Sequence, residues 1–353
     1  MSGGVDSSTA AALLQEKGYE VIGLTMHLWD PTADGKGNFG RCCAPEDIQD
    51  ARRVCDQIGI PHYVINLRPA FEKEVVDYFV AEYLQGLTPN PCIRCNDRIK
   101  FHYLLRKAEE LGAQSLATGH YARIQWDPQF SKYRLRRGVD PRKDQSYFLF
   151  SVTQPQLGKI WFPLGDQCKT EVRKKASSLG LRVAVKSESQ EICFIPDDDY
   201  RKFVERYKGK GLTRPGEIVN RGGKVLGLHR GIHAYTIGQR RGLGIAAPHP
   251  LYVLAFDLGK NQVIVGTNEE LLAIGFIVRE VNWVSIPQPE KELPVAVQIR
   301  YRHPGAPAVL FPLAEGKVRV ELKNPQRAVT PGQAAVFYGG DEVLGGGWIE
   351  RTL

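Results

Sequence analysis

A chain of 353 residues, 42% hydrophobic and 24% charged, has the composition of a folded protein with two or three domains, and it excludes a disordered chain. No stretch approaches the roughly 18 apolar residues of a membrane span, and the start lacks the basic-then-apolar order of a signal peptide, so a cytoplasmic protein with no membrane partner is expected. The net charge of +8 suits a polyanionic partner such as nucleic acid, and seven cysteines in a large chain argue for thiol or metal chemistry over a disulfide framework.

The chain opens Met1-Ser-Gly-Gly-Val-Asp-Ser-Ser8. Paired glycines let a main chain approach a ligand closely, and Thr9 to Lys17 is a strong helix sequence with Gly18 placed to end it. Unpaired amides at that helix start, with the hydroxyls of Ser7 and Ser8 beside them, make a phosphate site. Asp6 beside phosphates calls for a bridging cation, most simply Mg²⁺. No Walker motif occurs. Strands are then predicted over Glu20–Leu28 and His62–Leu67, and helices over Pro45–Gly59, Pro69–Leu84 and Asp97–Leu111. A short buried strand over Gln114–Thr118 runs into the turn Thr118-Gly119-His120. This alternation predicts an α/β fold with a doubly wound parallel sheet, whose ligands lie beyond the strand C-termini. From about Thr213, short strands such as Leu251–Phe256, Gln262–Gly266 and Val318–Leu322 take over. The expected domains are 1–202, a small mixed domain at 203–268, and a C-terminal β-barrel at 269–353.

Thr88-Pro-Asn-Pro-Cys92-Ile-Arg-Cys95-Asn96-Asp97 brings two thiols to the start of the helix expected at Asp97. A helix N-terminus lowers a thiol pKa, and Arg94 would assist. Zinc would need a second cysteine pair, and adjacent Cys42-Cys43 are poorly spaced for one. Cys193, in Ser187-Glu-Ser-Gln-Glu-Ile-Cys-Phe-Ile-Pro196, has Glu188 and Glu191 as neighbours, and on those residues alone it reads as a buried cysteine. Cys55 reads as packing and Cys168 as a bystander, while His229 and His233 read as structural hydrogen-bonding residues.

These motifs, with Ala117-Thr-Gly-His-Tyr-Ala-Arg123, Lys143-Asp-Gln-Ser-Tyr-Phe148 and His233-Ala-Tyr-Thr-Ile-Gly-Gln-Arg-Arg-Gly-Leu243, occur in this order in one family. The chain resembles, nearly end to end, the tRNA-specific 2-thiouridylases of the PP-loop ATP pyrophosphatase superfamily, with an adenine-nucleotide-α-hydrolase-like catalytic domain. The resemblance implies an ATP-dependent transferase that 2-thiolates the tRNA wobble uridine: uridine O2 is adenylated, then sulfur passes from a cysteine persulfide to C2. It implies Cys95 as nucleophile and Cys193 as persulfide carrier, joined transiently in a Cys95–Cys193 disulfide. ATP binding falls on Ser2, Gly3, Gly4, Val5, Asp6, Ser7, Met26 and Gly119. Contacts with tRNA fall on Asn90, Pro91, Cys92, His120, Lys143, Asp144, Gln145, Arg300, Tyr301 and Gln333. The implied cofactors and partners are ATP, Mg²⁺, tRNA and a persulfide donor or carrier protein.

Two departures from the family pattern leave alternatives open. Cys92 stands where many relatives have Asp, so Cys92, Cys95 and Cys193 could instead hold a [4Fe–4S] cluster that delivers sulfide. An apolar strand precedes the loop in family members, so the reading frame is expected to extend upstream by about ten codons. An adenylating amide ligase is the alternative of another class, but it would have no use for Cys95 and Cys193.

Overall fold

The computed structural model describes residues 1–29, 45–187, 192–195, 199–209 and 214–353. The first helix, Val5–Glu16, is followed by β1 (Gly23–His27), the helix Pro45–Ile58 and β2 (His62–Asn66), which pairs in parallel with β1. A helix then covers 68–84 and another covers 91–110. Beyond them lies β3 (Leu116–Ala117), parallel to β6 (Ile160–Trp161). In the N-terminal domain the described parallel strands thus form two pairs, and the start of the first helix touches both: the Met1 amine donates to the Leu24 carbonyl of β1, and Gly119, just after β3, lies against Asp6 and Ser7. The helices 5–16 and 169–178 pack together around Val5, Leu164 and Val172.

Between β3 and β6 the chain makes an antiparallel hairpin, β4 (Ala122–Asp127) and β5 (Lys132–Arg137). Sequence reasoning did not identify it, and it does not stay in the N-terminal sheet. It joins the C-terminal sheet, where Arg136 registers with Glu342. The middle segment is a four-stranded sheet ordered β8 (Val225–His229), β7 (Gly216–Asn220), β10 (Gln262–Gly266), β9 (Tyr252–Asp257). The last six strands are β11 (Leu272–Asn282), β12 (Leu293–Gln298), β13 (Ala306–Pro312), β14 (Val318–Arg327), β15 (Ala334–Gly339) and β16 (Glu342–Thr352). Pairing of β11 with both β14 and β16 closes them into a barrel. Closure removes free edges and buries a continuous core of Phe276, Val297, Leu310, Val320 and Phe337.

The barrel is fastened to the N-terminal domain near the cysteine helix. The Thr88 amide donates to the Pro331 carbonyl at 3.0 Å, and Gln333 Nε2 donates to the Thr88 carbonyl at 3.0 Å. Gly332 between them has φ +88°, and a Cβ there would lie 2.8 Å from the Thr88 nitrogen. Gly340 has φ +66° with open space around it. Both Gly→Ala changes should cost about 1–2 kcal/mol of left-handed strain. Gly332→Ala should cost more in chemical denaturation, because the joint must also open; equal losses would show that the joint adds nothing.

Candidate active site

The first helix begins earlier than its sequence suggested. Gly4 is the extended residue before it, so Val5, Asp6 and Ser7 form the first turn, whose amides lack partners within the helix. Ser8 and Thr9 spend their hydroxyls locally, on the Gly4 and Val5 carbonyls at 2.9 and 2.8 Å. Ser2 and Ser7 face each other, Oγ to Oγ at 3.0 Å, on the more open side. Gly3, at φ +67°, is needed for a close approach: a Cβ would fall 2.4 Å from the Asp47 carbonyl oxygen. Val5 is buried in the core, and Met26, on β1, is half-buried.

Two lysines that sequence reasoning missed hold this loop. Lys186 Nζ donates to the Gly3 carbonyl at 3.1 Å and pairs with Asp47 and Asp50 at 2.7 and 2.6 Å. Lys169 Nζ contacts both oxygens of Asp6, at 2.7 and 2.8 Å, with its side chain 9% exposed. The Tyr121 hydroxyl donates to Asp6 Oδ1 at 2.7 Å. Lys169 opens the helix Lys169–Ser178, against the sense of the helix dipole. That position was the available signal for a lysine with another task.

The cysteine helix also starts early, at Pro91 rather than Asp97. Asn90 caps it, its Oδ1 accepting from the Ile93 amide at 3.2 Å, with Pro91 in the first turn. Cys92 and Cys95 therefore lie inside the helix, which widens to π geometry over Cys95–Leu104. Arg94 does not serve the thiols: it pairs with Glu74 at 3.4 Å and lies over the Tyr78 ring. The expected lowering of thiol pKa fails at Cys92. It keeps an exposed surface, but the protein around it pushes the thiol up to about 11 by desolvation; Cys193 adds to this and Lys100 opposes it. Cys193 is thus brought to the cysteine helix from far along the chain. Cys95 and Cys193, both half-buried, pack against one core. Phe194 anchors the Cys193 segment through rings of Phe71, Phe79 and Phe203 at 5.6, 5.4 and 5.3 Å.

Among the described residues no three His, Cys, Asp or Glu side chains are grouped to hold a metal ion. Cys92, Cys95 and Cys193 are not grouped in that way in this structure. Glu188, Glu191, Cys42 and Cys43 lie outside the described residues. Cys55 is fully buried, its thiol pushed up to about 11 by burial, as a packing residue should be. His229 and His233 are hydrogen-bonded inside the middle domain.

Several residues expected to touch tRNA do structural work. Asp144 is buried, its carboxylate taken by Arg137 at 2.8 Å, the Gly138 and Ser146 amides and the Ser146 hydroxyl, so it has little left for a ligand. Gln145 exchanges bonds with Tyr121, its side-chain oxygen accepting and its amide donating. Gln333 fixes the Thr88 segment, and Tyr301 packs on Phe148 at 4.5 Å. His120 is buried between Phe101 and Phe162, and burial, then Lys100, holds its pKa well below 6.5. Cys92, Arg300 and half-buried Lys143 remain toward solvent. Gly119 lies against the loop: a Cβ there would fall 2.8 Å from Asp6 C and Ser7 N.

A phosphate-ready helix start on an α/β domain with two β domains behind it places this molecule among nucleotide-binding proteins of the HUP class. Residues 1–197 match the tRNA methyl transferase HUP domain, 201–267 the tRNA methyl transferase PRC-barrel domain, and 274–349 the aminomethyltransferase beta-barrel domain. Relatives named tRNA-specific 2-thiouridylase MnmA are similar along the whole chain. That of Geobacter metallireducens is 56% identical, covering 100% of this chain and 96% of its own. Those of Geotalea uraniireducens and Heliobacterium modesticaldum are 54% and 51% identical, each covering 100% of this chain and 94% and 92% of their own. The chain belongs to the tRNA-specific 2-thiouridylase family. No helix among the described residues is long and apolar enough to cross a membrane.

Lys169→Met and Asp6→Asn should each destabilise the protein by about 2 kcal/mol, below the figure for a fully buried pair because Asp6 is 31% exposed. The double variant should lose less than the sum of the singles; strict additivity in denaturant titrations would mean the ions are not coupled. His120 supplies a pH test. Its unfolded form takes a proton near 6.5 and its folded form does not, so stability should fall as pH drops below about 6.5. His120→Gln should flatten that slope, and an unchanged slope would exclude His120 as its source.

Proposed function

We propose that this chain uses ATP to convert the wobble uridine of tRNA to 2-thiouridine. The observation that supports this most is that Cys193 sits beside the Cys92–Cys95 helix, and that Lys100 of the same helix reaches His120, next to the Gly119 that presses on the phosphate loop. Adenylation and sulfur transfer need that proximity, because they act on the two ends of one C2–O2 bond. An amide ligase would have no use for it.

The first-turn amides with Ser2 and Ser7 receive the departing pyrophosphate, where fixed dipoles stabilise developing charge. Asp6 is the carboxylate of the first turn, but Lys169 and Tyr121 already hold its oxygens, so a Mg²⁺ ion carried by ATP, which would offset phosphate charge, would have to share or displace them. Uridine O2 attacks the α-phosphorus, and the bond to the β-phosphate oxygen breaks. The terminal sulfur of a persulfide on Cys193 then adds to C2, and O2 leaves within AMP. The Cys95 thiolate attacks Cys193 Sγ, breaking the sulfur–sulfur bond and leaving sulfur on C2. The resulting Cys95–Cys193 disulfide is reduced by an external dithiol, and a persulfide donor or carrier protein reloads Cys193. Cys92 stays outside this relay, in the base-facing role expected for its position. Catalysis belongs to 1–202, with 203–268 and 269–353 holding the tRNA.

Incubation of tRNA with ATP, Mg²⁺ and a persulfide source, followed by nucleoside analysis, should yield 2-thiouridine. Cys193→Ser and Cys95→Ser should each abolish it with tRNA affinity almost unchanged. Full activity in either variant would remove that cysteine from the relay.

A further inference from the structure

Lys100 occupies a place that neither the loop nor the thiols explain. It lies in the π stretch, where hydrogen bonds run from i to i+5, so residues five apart stand over one another and Lys100 falls on the face of Cys95. Its ammonium is 3.5 Å from His120 Nε2. An ammonium only donates, so Nε2 accepts and Nδ1 carries the proton shared with Thr118 Oγ1 at 2.8 Å. His120 follows Gly119, which presses on Asp6 and Ser7. The charge of Lys100 is also felt by the Cys92 thiol, two turns back on the same helix, which in turn feels Cys193. No carboxylate among the described residues pairs with Lys100.

The cation therefore stands between the sulfur site and the phosphate loop. Chemistry puts one group in that interval. In an adenylated uridine the α-phosphate is bonded to O2, one bond from the C2 that sulfur must reach, while pyrophosphate leaves toward the loop. Resting on the reading of the chain as a tRNA-adenylating sulfurtransferase, we infer that Lys100 is a catalytic residue whose ammonium holds the α-phosphate during adenylation and again as AMP departs. His120, neutral and fixed by Thr118, aims the ammonium before substrate arrives, so little reorganisation is needed at the moment of reaction.

The test separates the two half-reactions. Cys193→Ser enzyme should still form AMP-uridine and release pyrophosphate in the presence of tRNA, and serves as the background. In that background Lys100→Met should slow tRNA-dependent pyrophosphate release by about 10²-fold, the usual loss when one preorganised charge is removed. Lys100→Arg should recover at least a tenth of the rate, and melting temperature and tRNA affinity should be unchanged in both. Replacing one α-phosphate oxygen of ATP by sulfur should slow the parent markedly and Lys100→Met much less. A Lys100→Met enzyme that releases pyrophosphate at the parent rate overturns the inference, as does an identical phosphorothioate effect in both; if Lys100→Met does not fold, Lys100→Gln takes its place in both measurements, with the same outcomes. A parent enzyme that releases no pyrophosphate with tRNA and ATP overturns the function itself, a separate result.

Discussion

The contact on which the site depends is the ion pair between Asp6 and Lys169. A carboxylate in the first turn of a helix is favoured by the dipole, but a largely buried lysine is tolerated only with a partner. Each ion therefore requires the other, and the pair ties the start of the first helix to the start of the helix Lys169–Ser178. The Tyr121 hydroxyl completes the shell around Asp6. With Lys186 bound to Gly3, Asp47 and Asp50, a loop of small residues is fixed from two sides. A loop so held presents its amides in place, which a flexible glycine-rich segment would not do.

The second constraint is the cysteine helix. Its N-cap, Asn90, belongs to a segment fastened by Gln333 and Pro331 of the barrel, so the thiols are positioned by two domains at once. The hairpin β4–β5 makes the same connection elsewhere, with Arg134 paired to Glu342 at 2.8 Å and Arg123 to Asp341 at 2.7 Å. Arg137 reaches Asp144 on one side and lies 3.6 Å from the centre of the Tyr338 ring on the other. The barrel is thus part of the frame of the N-terminal domain.

Much of this was legible in the chain. The Gly-Gly-Val-Asp-Ser run marked the phosphate loop, because few residue types satisfy a close approach and a helix start together. The helices over 45–58 and 68–84 and the strands over 62–66 and 262–266 fell where local pattern placed them. The start of the cysteine helix was legible too, in Asn90-Pro91, yet the cysteines and prolines read as a loop. The hairpin β4–β5 was missed because its partners lie some 200 residues away, at Asp341 and Glu342.

What the sequence determined by itself was the inventory of chemistry: a phosphate loop, three cysteines on two segments, and an excess of basic residues. Local rules suffice there, since glycine conformation, capping and thiol identity are properties of short stretches. Only the tertiary structure decided how those groups are used. It paired Asp6 with Lys169, turned Arg94 away from the thiols, raised the Cys92 pKa through the desolvation its surroundings impose, and withdrew His120 and Asp144 into the interior. Each outcome is set by desolvation and by charges distant in sequence, and those exist only once the chain is folded.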